Sequence, residues 1–288
     1  MKTVIDCIAC KVRQAIDVVK RATDDPDLQE RALKSMLETI VTLSFDRPPV
    51  AIRRDAENVV KAILGNPDPY IEHKELSNRI GLAMYPELKK IAADSENPLK
   101  TALRLAVAGN IIDFGMFKLE EIDEARVRNL VEETIAHAPA IDDSDQLIAD
   151  MQRANSILYI ADNCGELFFD RVLLEQMPAE KVTLVVRGKP ILNDATLEDA
   201  RYTGLCDLVN VIGDGNDTPA LMLEECSPEV LDLFQSADLV ISKGQGNYEA
   251  LSLAPREIYF LLMVKCEVVS SDLSCNVGDI VIKRGGVY

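Results

Sequence analysis

The stretch Ser156-Ile157-Leu158-Tyr159-Ile160-Ala161-Asp162-Asn163-Cys164-Gly165-Glu166 decides how the rest of the chain is read. Its first half is a short apolar run rich in β-branched and aromatic residues, which predicts a buried strand. The run Leu167-Phe168-Phe169-Asp170-Arg171-Val172-Leu173-Leu174 follows and predicts an amphipathic helix. Between the two, Asp162, Asn163 and Glu166 crowd a tight turn with a single glycine. Ligands of open α/β sheets bind at the carboxyl ends of strands. A carboxylate beside an amide oxygen there suits a hard divalent cation, because Mg2+ and Mn2+ take oxygen ligands. Taken by itself the turn also has a simpler reading, in which Asp162 or Asn163 caps the helix.

The same rhythm repeats downstream. Apolar runs at 157–160, 182–186, 208–212, 239–241, 258–264 and 280–282 alternate with helical patterns. That spacing predicts parallel βαβ units in a three-layer α/β/α domain over residues 151–288. The second run ends in Arg187-Gly188-Lys189-Pro190-Ile191-Leu192-Asn193-Asp194-Ala195-Thr196, the third in Gly213-Asp214-Gly215-Asn216-Asp217, the fourth in Ser242-Lys243-Gly244-Gln245-Gly246-Asn247-Tyr248-Glu249. Four successive strands therefore carry Asp, Asn, Lys or Gly at one edge, the mark of a single site. Together they offer carboxylates for a metal, a Lys for an anion and backbone N–H groups at a helix start. This inventory suits phosphoryl chemistry. Each cluster also has a plainer reading: Asn193-Asp194 as a cap, and most of 213–217 as a solvated loop. The Lys243 segment is not a Walker loop, since the Lys precedes the glycines.

Residues 1–150 read as helices. Asp6 is positioned to cap a helix carrying Ile8, Val12, Ala15, Ile16 and Val19. Asp25-Pro26 opens a second helix, a third stops at Gly65, and a fourth begins near Tyr70 and is bent or ended by Pro86. Asn97-Pro98 starts a fifth, and a last one spans about 123–137. Two features stand out. Cys7 and Cys10 share a helix face, as two small buried thiols, half a zinc site or a redox pair. Gly109-Asn110-Ile111-Ile112-Asp113 puts an Asn and an Asp three apart at a helix end, either as a cap or as site residues.

Composition bounds the partners. The 288 residues carry a formal net charge of −17 and a pI near 4.6. A field of that sign disfavours a nucleic-acid backbone or an anionic membrane surface, while a local cation can still bind a phosphate ester. No apolar run reaches the roughly 20 residues of a membrane span, and the first residues lack the apolar core of a signal peptide. Seven scattered cysteines fit a reduced cytoplasm. Only two His are present, too few for a His-rich zinc site.

Ala161-Asp162-Asn163-Cys164-Gly165-Glu166, the 187–196 segment and Ala237-Asp238-Leu239-Val240-Ile241-Ser242-Lys243-Gly244-Gln245-Gly246-Asn247-Tyr248-Glu249 resemble the damage-control phosphatases. These are metal-dependent phosphatases once filed as a domain of unknown function. The Gly109-Asn110…Asp113 segment also matches, and the Cys7/Cys10 pair is similar to that of the compact prokaryotic branch. The resemblance implies a helical N-terminal region packed on a mostly parallel, Rossmann-like sheet. It implies a divalent metal (Mg2+, Mn2+, Co2+ or Ni2+) held by Asp162, Asn163 and Asp194, and a Lys, here Lys243, that meets the phosphate. It implies small phosphorylated metabolites as substrates. On this reading Asp162 and Lys243 act in catalysis, and Asn110, Asp113, Glu166, Arg187, Gly244, Gly246 and Asn247 surround the substrate. The nucleophile is open between Asp162 and a water.

Three rivals stand beside it. Gly213–Asp217 resembles the loop of haloacid-dehalogenase-like phosphatases but is one residue short and lacks the early Asp-x-Asp motif. A nucleotide- or S-adenosylmethionine-binding module, such as a carboxyl methyltransferase, would use the turn at Gly165, but the Gly-x-Gly spacing is missing. A zinc or redox protein would be built on Cys7 and Cys10.

Overall fold

Ile157 and Tyr159 face one side of a sheet and Leu158 and Ile160 the other, as the two-residue period of a strand requires. Both sides are buried, so the run is apolar throughout and sits in the middle of a covered sheet. The computed structural model describes residues 1–42, 44–66, 68–112 and 124–286. Among these, β1 (Ile141–Asp142), β2 (Ile157–Ile160), β3 (Val182–Val186), β4 (Asn210–Gly213), β5 (Leu239–Lys243), β6 (Ile258–Met263) and β7 (Ile280–Gly285) form one sheet in the order β1-β7-β6-β5-β2-β3-β4. All pairs are parallel except β6 with β7. The chain steps from β2 out to β3 and β4, then returns to the opposite side of β2 for β5. The strand order thus reverses between β2 and β5, where open α/β sheets leave a crevice for ligands.

The helices preceding the sheet are α1 (Ile5–Ala22), α2 (Pro26–Thr42), α3 (Pro49–Leu64), α4 (Ile71–Ala93), α5 (Pro98–Ala108) and α6 (Glu124–Ala136). Their punctuation follows the sequence. Asp25 accepts from the N–H of Asp27 at 2.9 Å, Asn97 accepts from that of Lys100 at 3.1 Å, and Gly65 ends α3 at φ +65°. Two expectations change. Val4, not Asp6, is the residue before α1, and Asp6 lies within the first turn. Helix α4 runs through Pro86 without ending, because Met84, Leu88 and Ala92 on either side are buried in the core, and packing outweighs one lost backbone bond.

The helices interleaved with the strands are α7 (Ser144–Arg153), α8 (Leu167–Leu174), α9 (Leu197–Tyr202), α10 (Pro228–Ser236), α11 (Gly244–Leu251) and α12 (Glu267–Leu273). One core lies on the Tyr159 face, under α4, α5 and α8; a second lies on the Leu158 face, under α10, α11 and α12. A third joins Ala15, Val18, Met36, Ile52 and Ala56 of α1–α3 to Ile191 and Leu192, so the helical region grips the loop after β3. Along α3, Asn58 donates to Asp217 at 3.3 Å and Lys61 to the Pro190 carbonyl at 2.7 Å. Strand β5 extends past 241 to include Lys243, and β4 starts at Asn210 because residues 205–207 form a 3-10 turn first.

Candidate active site

Helix α8 starts at Leu167, and neither Asp162 nor Asn163 caps it. Nor does Asp194 cap α9, where Thr196 and Asp199 form a reciprocal capping box. The polar residues left without a capping role converge instead. The Asp162-Asn163 turn is joined to the loop after β3 by backbone bonds: Ala195 N to Asp162 O at 2.8 Å and Cys164 N to Asn193 O at 2.9 Å. This sets Asn163 opposite Asp194 as an isolated antiparallel bridge. On the other side of β2, Gly244 opens α11 at φ +79°, and a Cβ built on it would overlap the Asp162 carboxylate. Asp162 therefore lies against the N-terminus of α11, where the helix dipole and its unshared N–H groups favour negative charge.

The floor beneath is a buried polar network. Asn163 Nδ2 donates to Asp162 Oδ2 and to Glu166 Oε2, each at 3.0 Å. Asn110, just after α5, donates to Glu166 and, at 3.4 Å, to Asp162. Glu166 Oε1 also accepts from Lys243 Nζ, and Asp170 Oδ1 accepts from the same ammonium at 2.6 Å. Tyr159 OH donates to Asp170 Oδ1 at 2.7 Å. Glu166, Asp170 and Lys243 are fully enclosed. Burial by itself would lower the Lys243 pKa, but the two carboxylates outweigh it and raise the value. Burial is also the main influence on Asp170, which Lys243 opposes and Glu166 reinforces; its carboxyl rises to about 6.

Arg187 forms a second knot. Its Nε donates to Asp194 at 2.8 Å, Nη1 to Asp214 at 3.1 Å, and Nη2 to the Ala161 carbonyl and Asn247 Oδ1, both at 3.1 Å. Asn247 in turn donates to the Ala161 and Lys243 carbonyls and accepts from Leu221 N at 2.8 Å, which occupies its whole amide. Asp214 is fully buried, contrary to the solvated-loop reading of 213–217, because its carboxylate is needed by Arg187 and by the N–H of Gly188.

The expected site residues thus divide. Asp162, Asn163, Asp194, Lys243, Gly244, Glu166 and Asn110 come together around the β2/β5 crevice. Arg187 and Asn247 are buried beneath it, and their bonds run to Asp194, Asp214, Leu221 and the Ala161 and Lys243 carbonyls, which ties together the backbone under the site. Gly246 abuts the Pro219 carbonyl and Val50. Asp113 lies outside the described residues. Asp170, Tyr159 and Asp214 were not singled out by sequence. The available signal is Asp170 four residues after Glu166 in a helix whose other residues, Arg171 apart, are apolar, one face of one turn. That helix is buried nearly all round, not amphipathic, and the Lys243 ammonium offsets its one acidic residue.

The donor set fits a hard cation. Asp162, Asn163 and Asp194 offer oxygen alone, and the Asn163 amide nitrogen is turned toward Asp162 and Glu166. Five buried carboxylates (Asp162, Glu166, Asp170, Asp194 and Asp214) face two buried cations, Lys243 and Arg187, a formal excess of negative charge that a dication would offset. Among the described residues no three His, Cys, Asp or Glu side chains alone have metal-holding geometry. The set is two carboxylates and an amide, a sparse shell of the kind Mg2+ tolerates because it keeps several waters. Elsewhere, Cys7 is buried and burial raises its thiol pKa, the wrong direction for a reactive thiolate. Gly165 packs against Ser77 of α4, with no room there for a side chain.

Comparison with known proteins finds relatives over nearly the whole chain. The family model for the damage-control phosphatase ARMT1-like domain matches residues 3–281. A damage-control phosphatase of Pyrococcus horikoshii is 35% identical over 294 residues, covering 99% of this chain and 98% of that protein. One from Archaeoglobus fulgidus is 33% identical over 282 residues, covering 96% and 97%. An uncharacterized protein of Methanocaldococcus jannaschii is 37% identical over 291 residues, covering 97% and 94%. The crystal structure of a DUF89 family protein from P. horikoshii has a TM-score of 0.90 to this fold at 33% identity, over 99% of both chains.

Proposed function

The chain belongs to the damage-control phosphatase ARMT1-like family, and from that premise we propose that it is a divalent-metal-dependent phosphatase acting on phosphate monoesters of small metabolites. The observation that carries the finer reading is the meeting, at the β2/β5 switch point, of an all-oxygen donor set with a buried Lys and a helix N-terminus. Asp162, Asn163 and Asp194 would hold the cation. When bound, such a cation polarises the phosphoryl group and offsets charge developing in the transition state.

The chain's own groups do the rest. Two of the three Lys243 N–H donors are taken by Glu166 and Asp170, and the third is assigned to a phosphate oxygen. The N–H groups of Gly244, Gln245 and Gly246 have no partner within α11 and are assigned to a second phosphate oxygen. Asn110 reaches the same carboxylates from the helical region and orients them. Because these donors are held before substrate arrives, little reorganisation is needed as charge develops.

The test is phosphate release from a panel of phosphorylated small metabolites by chelator-treated protein, with Mg2+, Mn2+, Co2+ or Ni2+ restored in turn. Metal-restored hydrolysis that Asp162→Ala abolishes is expected. Hydrolysis indifferent to chelator and to Asp162 would overturn the reading.

A further inference from the structure

Lys243 is held by two carboxylates. Its ammonium is fully buried between Glu166 and Asp170, which stand four residues apart and project from one side of the turn that begins α8. Glu166 is pinned in turn by Asn110 and Asn163. Asp170 is pinned by Tyr159, whose hydroxyl crosses from the middle of β2 to the α8 layer. Both donors to Asp170, the Tyr159 hydroxyl and the Lys243 ammonium, converge on Oδ1. Its Oδ2 is buried with no hydrogen-bond partner. A carboxylate present only to stabilise the interior would be satisfied at both oxygens, and an apolar side chain would fill that space at lower cost. The arrangement instead immobilises one oxygen, and through it one ammonium.

We propose that Asp170 and Tyr159 are positioning residues that fix the Lys243 ammonium at the phosphate end of the site. The proposal rests on the reading of Lys243 as the phosphate contact. A free lysine samples many rotamers on its four-carbon stem, and ordering them at the moment of reaction raises the barrier. A frame of two carboxylates, one locked by amides and the other by a phenol, removes that cost in advance. Tyr159 acts through Asp170, so the two residues form a chain and not two separate supports.

The test is steady-state kinetics on para-nitrophenyl phosphate with saturating Mn2+ for wild type, Lys243→Ala, Asp170→Asn, Tyr159→Phe and the Asp170→Asn/Tyr159→Phe double variant, with thermal unfolding of each. Asp170→Asn is expected to lower kcat by roughly 10–100-fold, the range for groups that orient a functional side chain, with KM changed by no more than about twofold. Tyr159→Phe should lower kcat in the same direction by less. The double variant should be no slower than Asp170→Asn alone, because the tyrosine has nothing left to orient. If Asp170→Asn does not fold, Tyr159→Phe decides, since it deletes one hydroxyl and keeps the ring. Folded variants with wild-type kcat beside an impaired Lys243→Ala, or losses that appear in KM alone or multiply in the double variant, overturn the proposal. Full activity in Lys243→Ala, or an inactive wild type, removes the phosphate-contact reading and the proposal with it.

Discussion

Gly244 and the Asp162 carboxylate touch across the β2/β5 crevice, with no room between them for a Cβ. A methyl group at 244 would overlap Oδ2 and stand 2.7 Å from Oδ1, and the residue's φ of +79° already excludes most side chains. The first turn of α11 can approach Asp162 only because position 244 is bare. Gly244→Ala is therefore expected to displace Asp162 and lower phosphatase activity by about a hundredfold or more, the scale of a lost transition-state donor. Backbone strain adds a loss of about 1–3 kcal/mol in stability. Activity assay with chemical denaturation checks both, and a fully active Gly244→Ala would separate α11 from the site.

Asp162 and Asp194 should behave differently when removed, although both are assigned to the same cation. Asp194 also accepts from Arg187, which is 1% exposed. Asp194→Ala leaves that guanidinium short of a partner in the interior and should cost about 3–5 kcal/mol, the usual penalty for breaking a buried pair. Asp162→Ala should cost less, since its side chain accepts from the neutral amides of Asn110 and Asn163, whose loss strands no buried guanidinium. Urea unfolding of the two variants measures the difference; equal losses would contradict the role given to Arg187.

His73 makes the helical region sensitive to acid. Its ring is neutral, because Nε2 accepts from Arg21, and burial followed by the Arg21 charge lowers its pKa from 6.5 to about 4. The folded value lies below the unfolded one, so this group's contribution is present above pH 6.5 and is lost as pH falls toward 4. Thermal unfolding between pH 7 and pH 4 should show that loss, and His73→Gln should flatten it. An identical pH slope in the variant would show that other groups set the acid limit.

The sheet was legible in the sequence because its strands are short apolar runs with turn residues at fixed intervals, and the helices because Pro26, Pro49, Pro98 and Gly65 punctuate them. The edge on which Asp162, Asp194 and Lys243 meet followed from the rule that ligands gather at strand carboxyl ends. What stayed hidden depended on long-range packing. Nothing local in Arg187-Gly188-Lys189 says that the arginine turns inward to bridge Asp194 and Asp214, 27 residues from the latter. Nothing in Leu167-Phe168-Phe169-Asp170 says that a buried ammonium lies opposite. Of the two outcomes open at Pro86, a bend or an end, the end is excluded, because a packed core on both flanks outweighs the roughly 3 kcal/mol or more that an interior proline costs.

The cysteine pair carries a smaller expectation. Cys7 is enclosed in the helical region and its thiol is shifted away from ionisation. The Cys7→Ser/Cys10→Ser variant should lose some stability through the buried hydroxyl at position 7 and keep phosphatase activity within a few-fold of wild type. Stoichiometric zinc in the wild-type protein that disappears in this variant would contradict it.

In the proposed reaction Lys243 and the cation act together on the phosphate. Phosphate release from a generic phosphate monoester, followed in wild type and Lys243→Ala as Mn2+ is titrated into chelator-treated protein, tests both at once. The expected result is no hydrolysis without Mn2+, full recovery in wild type, and in Lys243→Ala a kcat roughly a hundredfold or more below wild type at saturating metal, with the Mn2+ midpoint little changed. Hydrolysis that persists without metal, or a folded Lys243→Ala that matches wild type, would contradict the account.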